Sequence, residues 1–291
     1  MRYLVAFLLT STLAWAGMSS LRVMPGVREA AMGNVGVASA SGPQAIAWNP
    51  AAGAEIQGFA LRAGYAKWLL DSHQQSVFLV RNFGFASLGI GVTSMTAGRF
   101  EYRTEVPTED PVALFSPSEF GFHVGMSKTF ARIVSAGVAA RFYYTKILDD
   151  EASAPGVDLG VRVKPMDQLS LGISLTDFGR NLAYVRESFR LPTRARLGAS
   201  FSQDLGAGFG ASVAADAGLY VYTKRFNAQA GLELDWNRTL FVRGGWEWLG
   251  ENFRPAGGLG IALGKVQFDY ALTALNDNLG TAHRVSIALG R

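Results

Sequence analysis

The chain contains no cysteine, only 3 histidines, and 17% charged residues. Without cysteine there is no disulfide framework, no thiolate metal site and no lipid-modified N-terminal cysteine. The histidines are His73, His123 and His283, none in a paired metal-ligand spacing, and no Gly-x-Ser-x-Gly elbow occurs. An enzyme reading therefore finds little support, and no cofactor is expected. A low charge fraction beside 12% aromatic residues excludes a disordered chain. Beyond the N-terminus no apolar run reaches the roughly 18 residues of a membrane helix, which excludes helical spanning. The formal net charge of +4 is too small to argue for nucleic acid as a partner.

What is present starts with an export signal. Arg2 is followed by an apolar run from Tyr3 to Leu13 and by Ala14-Trp15-Ala16 before Gly17, the layout of a cleaved secretory leader. Residues 1–16 are expected to be removed, leaving a mature chain that begins near Gly17. The 34 glycines, combined with abundant Phe, Trp and Tyr, are common in β-barrels.

From Gly58 onward the dominant signal is a period of two. In Phe120-Gly121-Phe122-His123-Val124-Gly125-Met126-Ser127 one face is apolar and the other small or polar. The alternation predicts strands over 58–67, 75–82, 85–103, 119–130, 134–147, 155–164, 169–179, 193–203, 208–222, 226–236, 239–248, 254–264, 266–274 and 281–290. Most approach or exceed the roughly 9 to 11 residues that a tilted strand needs to cross a bilayer. Tight connections, as at Phe83-Gly84, Ala131–Ile133 and Asn237-Arg238, alternate with mostly longer ones, notably 68–74, 104–118, 148–154 and 180–192. These rhythms describe an all-β, antiparallel up-and-down transmembrane barrel of about 14 strands, with short periplasmic turns, longer external loops and both ends in the periplasm.

The two faces of these strands differ in chemistry. Phe59, Leu61, Leu159, Val161, Leu197, Phe201, Leu232, Leu234, Trp246, Ile261 and Val285 fall outward, toward outer-membrane lipid. The lumen-facing charges are Arg62, Arg141, Asp158, Arg162, Arg194, Arg196, Asp216, Glu233, Arg243, Glu247, Asp269 and Arg284, with His123 beside them as a hydrogen-bonded lumen histidine. A lipid-facing arginine would cost about 2–4 kcal/mol at the midplane, whereas charges in a lumen can pair. Trp68, Trp236, Trp248, Tyr143, Tyr144, Tyr220 and Tyr222 lie near strand ends, where interfacial girdles belong. Gly258, Gly260 and Gly264 fall on one inward face, where a backbone can approach closely.

Residues 17–57 lack this alternation and are rich in Gly, Ala and Ser, with Met24, Val27, Met32, Val35, Val37, Ile46 and Trp48 as apolar groups worth burying. The division expected is a signal at 1–16, a lumen-plugging segment at 17–57 and a barrel at 58–291. Asn49-Pro50 reads as a turn with a structural role, ahead of direct ligand contact.

The same segment carries a signature: Val27-Arg28-Glu29-Ala30-Ala31-Met32-Gly33, then Val37-Ala38, then Ala45-Ile46-Ala47-Trp48-Asn49-Pro50-Ala51. It resembles the N-terminal motif of the PorV/PorQ-like outer-membrane barrels, relatives of the FadL-type transporters. Further matches include Leu191-Pro192, Arg196-Leu197-Gly198, Ala230–Glu233, Val242–Gly245 and the stretch from Asp269-Tyr270-Ala271 to Ser286. The chain departs from the family at Gly33-Asn34-Val35, Ser41-Gly42 and Ala52-Gly53, and in ending on Leu289-Gly290-Arg291 instead of an aromatic residue. The resemblance implies a FadL-kind barrel with an N-terminal plug in which Arg28, Met32, Gly33, Trp48, Asn49 and Pro50 form the plug motif. It further implies a Gram-negative outer-membrane location and a non-enzymatic role in type IX-like protein secretion or surface attachment, with secreted cargo or secretion components as partners. The alternative it implies is a FadL-like channel for long-chain fatty acids or other hydrophobic solutes, with a hydrophobic small molecule in the lumen.

Overall fold

Strands that are apolar on one face and polar on the other satisfy a bilayer only if every edge is paired. The computed structural model describes residues 23–290 apart from 70, 105–108, 185–186 and 276–278. The expected signal segment, residues 1–16, lies outside the described residues. The first strands are β1 (Phe59–Lys67), β2 (His73–Asn82) and β3 (Ser87–Thr96), followed by a small hairpin of β4 (Phe100–Tyr102) and β5 (Ala113–Phe115). Next come β6 (Ser118–Phe130), β7 (Val134–Ile147), β8 (Asp150–Met166) and β9 (Leu169–Gly179), then a second hairpin of β10 (Leu182–Ala183) and β11 (Ser188–Phe189). The chain finishes with β12 (Arg194–Gly206), β13 (Phe209–Tyr220), β14 (Arg225–Trp236), β15 (Leu240–Leu249), β16 (Asn252–Leu263), β17 (Val266–Ala274) and β18 (Thr281–Leu289).

Fourteen of these strands form one closed antiparallel barrel, and only the two small hairpins stand outside it. Closure is made by β1 against β18, in register from Leu61↔Leu289 to Lys67↔His283. Alternation then sorts the side chains. Along β18, Val285, Ile287 and Leu289 are exposed to the surroundings, while Ala282, Arg284, Ser286 and Ala288 are buried. Along β6, Phe120, Phe122, Val124 and Met126 are exposed and His123 and Ser127 are buried.

One end of the barrel is made of tight turns. Ala131, Arg132, Ala207, Asn237 and Arg238 adopt positive φ there, as do Gly84, Gly208 and Gly264, the conformations by which very short hairpin loops match strand twist. Gly264 thus belongs to a turn, and the expectation that it lines the inward face of a strand is corrected. At the opposite, loop end, two further expectations change. The stretch 85–103 does not run as one strand: β6 offers partners for β3 only as far as Ser118↔Thr96, so the chain beyond pairs with itself as β4 and β5. The expected long loop at 148–154 shrinks to a turn at 148–149, and the rest is strand, because Ala152 and Ala154 alternate inward and β7 pairs with β8 up to Ile147↔Asp150. Pro155 is tolerated there because the pairing of β8 with β9 begins only at Gly156↔Gly179, so its missing N–H costs no bond on that side.

The described part of the N-terminal segment occupies the lumen. Val23 sits at the loop end, where its carbonyl accepts from Gln74 Nε2 at 2.7 Å, and Ile56 sits at the turn end, where its carbonyl accepts from Asn82 Nδ2 at 3.2 Å. Residues 23–57 therefore run from the loop end to the turn end of the barrel, and the start of the segment, residues 17–22, lies outside the described residues. It contains a short helix, α1 (Val27–Ala31), and two 3₁₀ helices, Pro43–Ala47 and Pro50–Glu55. Such short helices are stable only when packed, and Ala30, Ala31, Met32, Ala45, Ala47, Trp48 and Ala51 are almost fully inaccessible.

Wall glycines make this fit possible. A Cβ at Gly137 would strike the Pro50 and Ala51 backbone, at Gly172 the Val37 carbonyl, at Gly231 and Gly245 the Met32 backbone, and at Gly258 the Ala31 methyl. Two predictions follow for detergent-extracted protein. The folded barrel is expected to migrate differently on a gel before and after boiling. Gly137→Val is expected to destabilise the seated plug by about 2 kcal/mol, a typical overpacking cost, and so to lower the temperature of that shift; an unchanged temperature would contradict the contact.

Candidate functional site

Each motif residue of the plug has a defined mechanical place. Helix α1 ends in a Schellman arrangement: Gly33 N–H donates to the Ala30 carbonyl at 3.1 Å and Asn34 N–H to the Glu29 carbonyl at 2.8 Å. This requires the left-handed conformation that Gly33 adopts, φ 75°, and a Cβ there would also collide with the Trp246 backbone. Met32 is wholly buried against Gly231 and Gly245. The Trp48 indole donates to the Pro25 carbonyl at 2.7 Å, closing the plug on itself, while the Arg196 guanidinium lies 5.2 Å above its ring.

Asn49 caps the second 3₁₀ helix, its Oδ1 accepting from Ala51 N–H at 3.1 Å, with Pro50 in the first turn, where a missing N–H is harmless. Its Nδ2 faces three carbonyls, Val37 at 3.1 Å, Val161 at 3.1 Å and Ile173 at 3.3 Å. Asn49 therefore joins two parts of the plug to β8 and β9.

The lumen-facing charges meet the plug in two ways. Some serve its backbone directly. Arg162 donates to the carbonyls of Gly36, Val37 and Ala40 at 2.9–3.1 Å, Arg141 to Ala47 at 2.9 Å, Arg196 to Trp48 at 2.9 Å and Arg284 to Met24 at 2.9 Å. Asp216 accepts from the N–H groups of Gly36 and Val37 at 2.7 and 2.9 Å.

Others form chains of ion pairs. Arg28 grips Glu233 through two bonds of 2.8 and 2.9 Å, Glu233 accepts from Arg243 at 2.5 Å, Arg243 reaches Asp269 at 2.7 Å, and Asp269 meets Arg62 at 3.3 Å. Burial alone would lower the Arg28 pKa, but the Glu233 carboxylate beside it raises the group above its ordinary range, so the guanidinium stays charged. Glu247 accepts from Asn34 Nδ2 at 2.9 Å. On the far wall Arg141 pairs with Asp158 and, at 3.2 Å, with Asp177, to which Arg194 also extends at 3.3 Å.

Three important residues escaped the sequence pattern. Asp177 stands on the outward phase of β9, yet it is fully buried, because a bulge between Leu175 and Phe178 turns it inward in a left-handed conformation. A charge on an apolar phase was the available signal. Tyr143, expected in an interfacial girdle, is wholly buried in the lumen with its hydroxyl on Asp177, because it lies on the same inward phase of β7 as Arg141. Glu29 lies fully buried within the plug, with Gln44 Nε2 at 3.2 Å from its carboxylate. His123 packs edge-on against Phe78, 5.4 Å between ring centres, and its Nε2 has no hydrogen-bond partner among the described residues, so the expected hydrogen-bonded histidine is corrected at that atom.

At the loop end the plug floors a cavity of about 770 Å³. Trp68 and Tyr220, also expected in the girdle, instead line it with Arg254, Arg284 and Glu247. The Arg284 guanidinium lies 5.1 Å above the Trp68 ring. Elsewhere at this end Leu182 and Leu191, from the loop after β9, pack on Tyr143, Ala152 and Ala154.

Neither a protein-family model nor a curated protein sequence matches the chain. Its fold is similar to solved channels at low sequence identity. The CymD monoaromatic hydrocarbon channel is 13% identical, with 92% of this chain and 98% of that chain covered, at a TM-score of 0.65. The Pseudomonas putida toluene transporter TodX is 10% identical over 92% and 98%, at 0.69. A Pseudomonas aeruginosa FadL homologue is 12% identical over 91% and 98%, at 0.58. The chain thus has the barrel fold of FadL-family outer-membrane transporters.

Arg162→Met would take a donor from three plug carbonyls, of which Val37 keeps Asn49 Nδ2, Gly36 keeps Ala40 N–H and Ala40 is left unpaired among the described residues. The loss is about 2 kcal/mol at the usual cost of one buried unpaired group. Limited proteolysis is expected to cut residues 23–57 in this variant while heat-shifted migration persists, and Lys164→Ala, which removes a partly exposed pair with Glu55, is expected to leave the plug protected.

Proposed function

We propose that this chain is an outer-membrane channel that admits hydrophobic molecules bearing a polar or acidic group through its loop-end cavity. The observation that carries this reading is the cavity itself, about 770 Å³ above the plug, in which Trp68 and Tyr220 offer apolar faces beside Arg254 and Arg284. Pockets of this size with a few convergent polar groups suit small-molecule ligands. The reading is supported by fold similarity to a monoaromatic hydrocarbon channel and a toluene transporter. In it, residues 1–16 are a removed leader, residues 17–57 a plug and 58–291 the barrel, with the turn end periplasmic. Arg28, Trp48 and Asn49 act as plug anchors and not as ligand contacts.

The secretion role implied by the sequence resemblance draws no support from these fold neighbours, which favour the transport alternative. The two readings separate experimentally. Purified barrel is expected to retain or bind an amphiphile such as a medium-chain fatty acid, and Trp68→Ala with Arg254→Gln is expected to weaken binding roughly tenfold, about 1.4 kcal/mol. Absence of binding and of uptake, with secreted proteins co-purifying through the outer loops, would sink the transport reading in favour of secretion.

A further inference from the structure

The plug does not seal the lumen evenly. Its second 3₁₀ helix packs on β6, β7 and β8, and the loop after β9 packs Leu182 and Leu191 on β7 and β8. Its first 3₁₀ helix meets β1 and β2 through Ile46 and Trp48, in a buried cluster with Ala60, Phe78 and Val80. Between the plug and the inner faces of β1, β2 and β18 lies a small cavity that shares one lining residue with each of two larger ones. The loop-end cavity borders Arg284, which also borders a small cavity of about 20 Å³ between plug and wall. That small cavity borders Arg62, which in turn borders a turn-end cavity of about 470 Å³.

Small residues keep this seam open. Gly64, Ser76 and Ser286 line the wall side, and Gly26 lines the plug side with φ 118°, a backbone that an L side chain rarely adopts. A space of 20 Å³ holds about one water.

The seam sets polar groups among apolar ones, Val27, Ala66 and Phe78, and its lining charges are of one sign. Among the described residues two arginines and no carboxylate line the narrow cavity, with Arg62 paired behind it to Asp269 at 3.3 Å. The Nε of Arg62, the Nε of Arg284, Ser286 Oγ and Gln44 Oε1 are buried and find no hydrogen-bond partner among the described residues. Buried polar groups in folded proteins are satisfied by protein or by ordered water, so this arrangement calls for water or a polar solute along the seam. A hydrocarbon there would leave those groups unsolvated at a cost of several kcal/mol.

We propose that the seam between the plug and strands β1, β2 and β18 is a polar path through the barrel for small anions, separate from the handling of hydrophobic solutes in the loop-end cavity. Arg284 draws the anion from above and Arg62 hands it to the turn-end cavity, where Arg28, Arg243 and Lys265 continue the positive lining. Glu233 and Glu55 also border that lower cavity, with Glu233 held between Arg28 and Arg243 and Glu55 beside Arg162 and Lys164. The narrow point lies where Gln44, held by Glu29 and the Ser41 carbonyl, faces Phe78 and Gly64.

The absence of native cysteine permits a direct test in the full-length barrel reconstituted into planar bilayers, with chloride as the permeant ion. Ser76→Cys and Ser286→Cys place near-isosteric thiols in the seam, and Ser174→Cys places one in the lumen wall across the barrel. An anionic methanethiosulfonate is expected to modify the two seam cysteines in folded, heat-shifting protein and to lower chloride conductance at least about twofold, through local charge and bulk. Ser174→Cys is expected to show no such block. Arg284→Gln is expected to reduce the anion-to-cation permeability ratio. No chloride conductance, seam cysteines that stay unmodified, or modification verified by mass without change in conductance would each overturn the path. Binding of amphiphiles is read separately, so loss of either proposal leaves the other standing.

Discussion

Buried backbone sets the terms of this structure. A segment of some thirty-five residues with little regular secondary structure sits inside a closed barrel, and its carbonyl and amide groups have lost bulk water. Each such group left unpaired costs on the order of 1–3 kcal/mol, which a marginally stable fold cannot absorb many times over. The wall answers with side chains that reach: Arg162, Arg141, Arg196 and Arg284 donate to plug carbonyls, and Asp216 accepts from plug amides. Arginine suits the task because its planar fork presents several donors at fixed angles and its charge is hard to remove. Five of the twelve inward charges, Arg141, Arg162, Arg196, Asp216 and Arg284, are therefore partners of plug backbone.

The remaining charges balance one another. The chain from Arg28 through Glu233, Arg243 and Asp269 to Arg62 alternates in sign, so each buried charge has a partner of the opposite sign. Such a network adds little net stability over an apolar core, but removing one member leaves a buried charge uncompensated. It locks the plug into one register. Where the plug approaches the wall most closely, at Gly137, Gly172, Gly231 and Gly245, charge gives way to glycine, because the backbones touch. Between the plug and β1, β2 and β18 a cavity of about 20 Å³ remains beside Arg62 and Arg284, although both have partners.

Much of the barrel was legible in the sequence because a period of two has one physical reading when the apolar phase runs for nine residues or more. Strand count, closure, turn end and most inward charges came from that pattern. It failed where the backbone left regularity. Asp177 sits on the wrong phase because a bulge inserts an extra residue, and β3 stops early because its partner strand begins only at Ser118. Tyr143, Trp68 and Tyr220 lie near strand ends, but nearness to an end does not place a side chain at the interface. The phase of β7 and β13 would have placed Tyr143 and Tyr220 inward, beside Arg141 and Asp216.

The sequence by itself determined the container: alternation selects which face meets lipid, and the need to pair every strand edge in a bilayer forces closure. The plug motif was visible as residues without being visible as mechanics, since Arg28, Trp48 and Asn49 act on partners up to 205 positions away. Only the tertiary structure decided which carbonyl each arginine serves, which glycines let backbones touch, and along which strands the fit stays loose. Contacts between an irregular segment and a curved wall depend on three-dimensional shape, which no local period encodes.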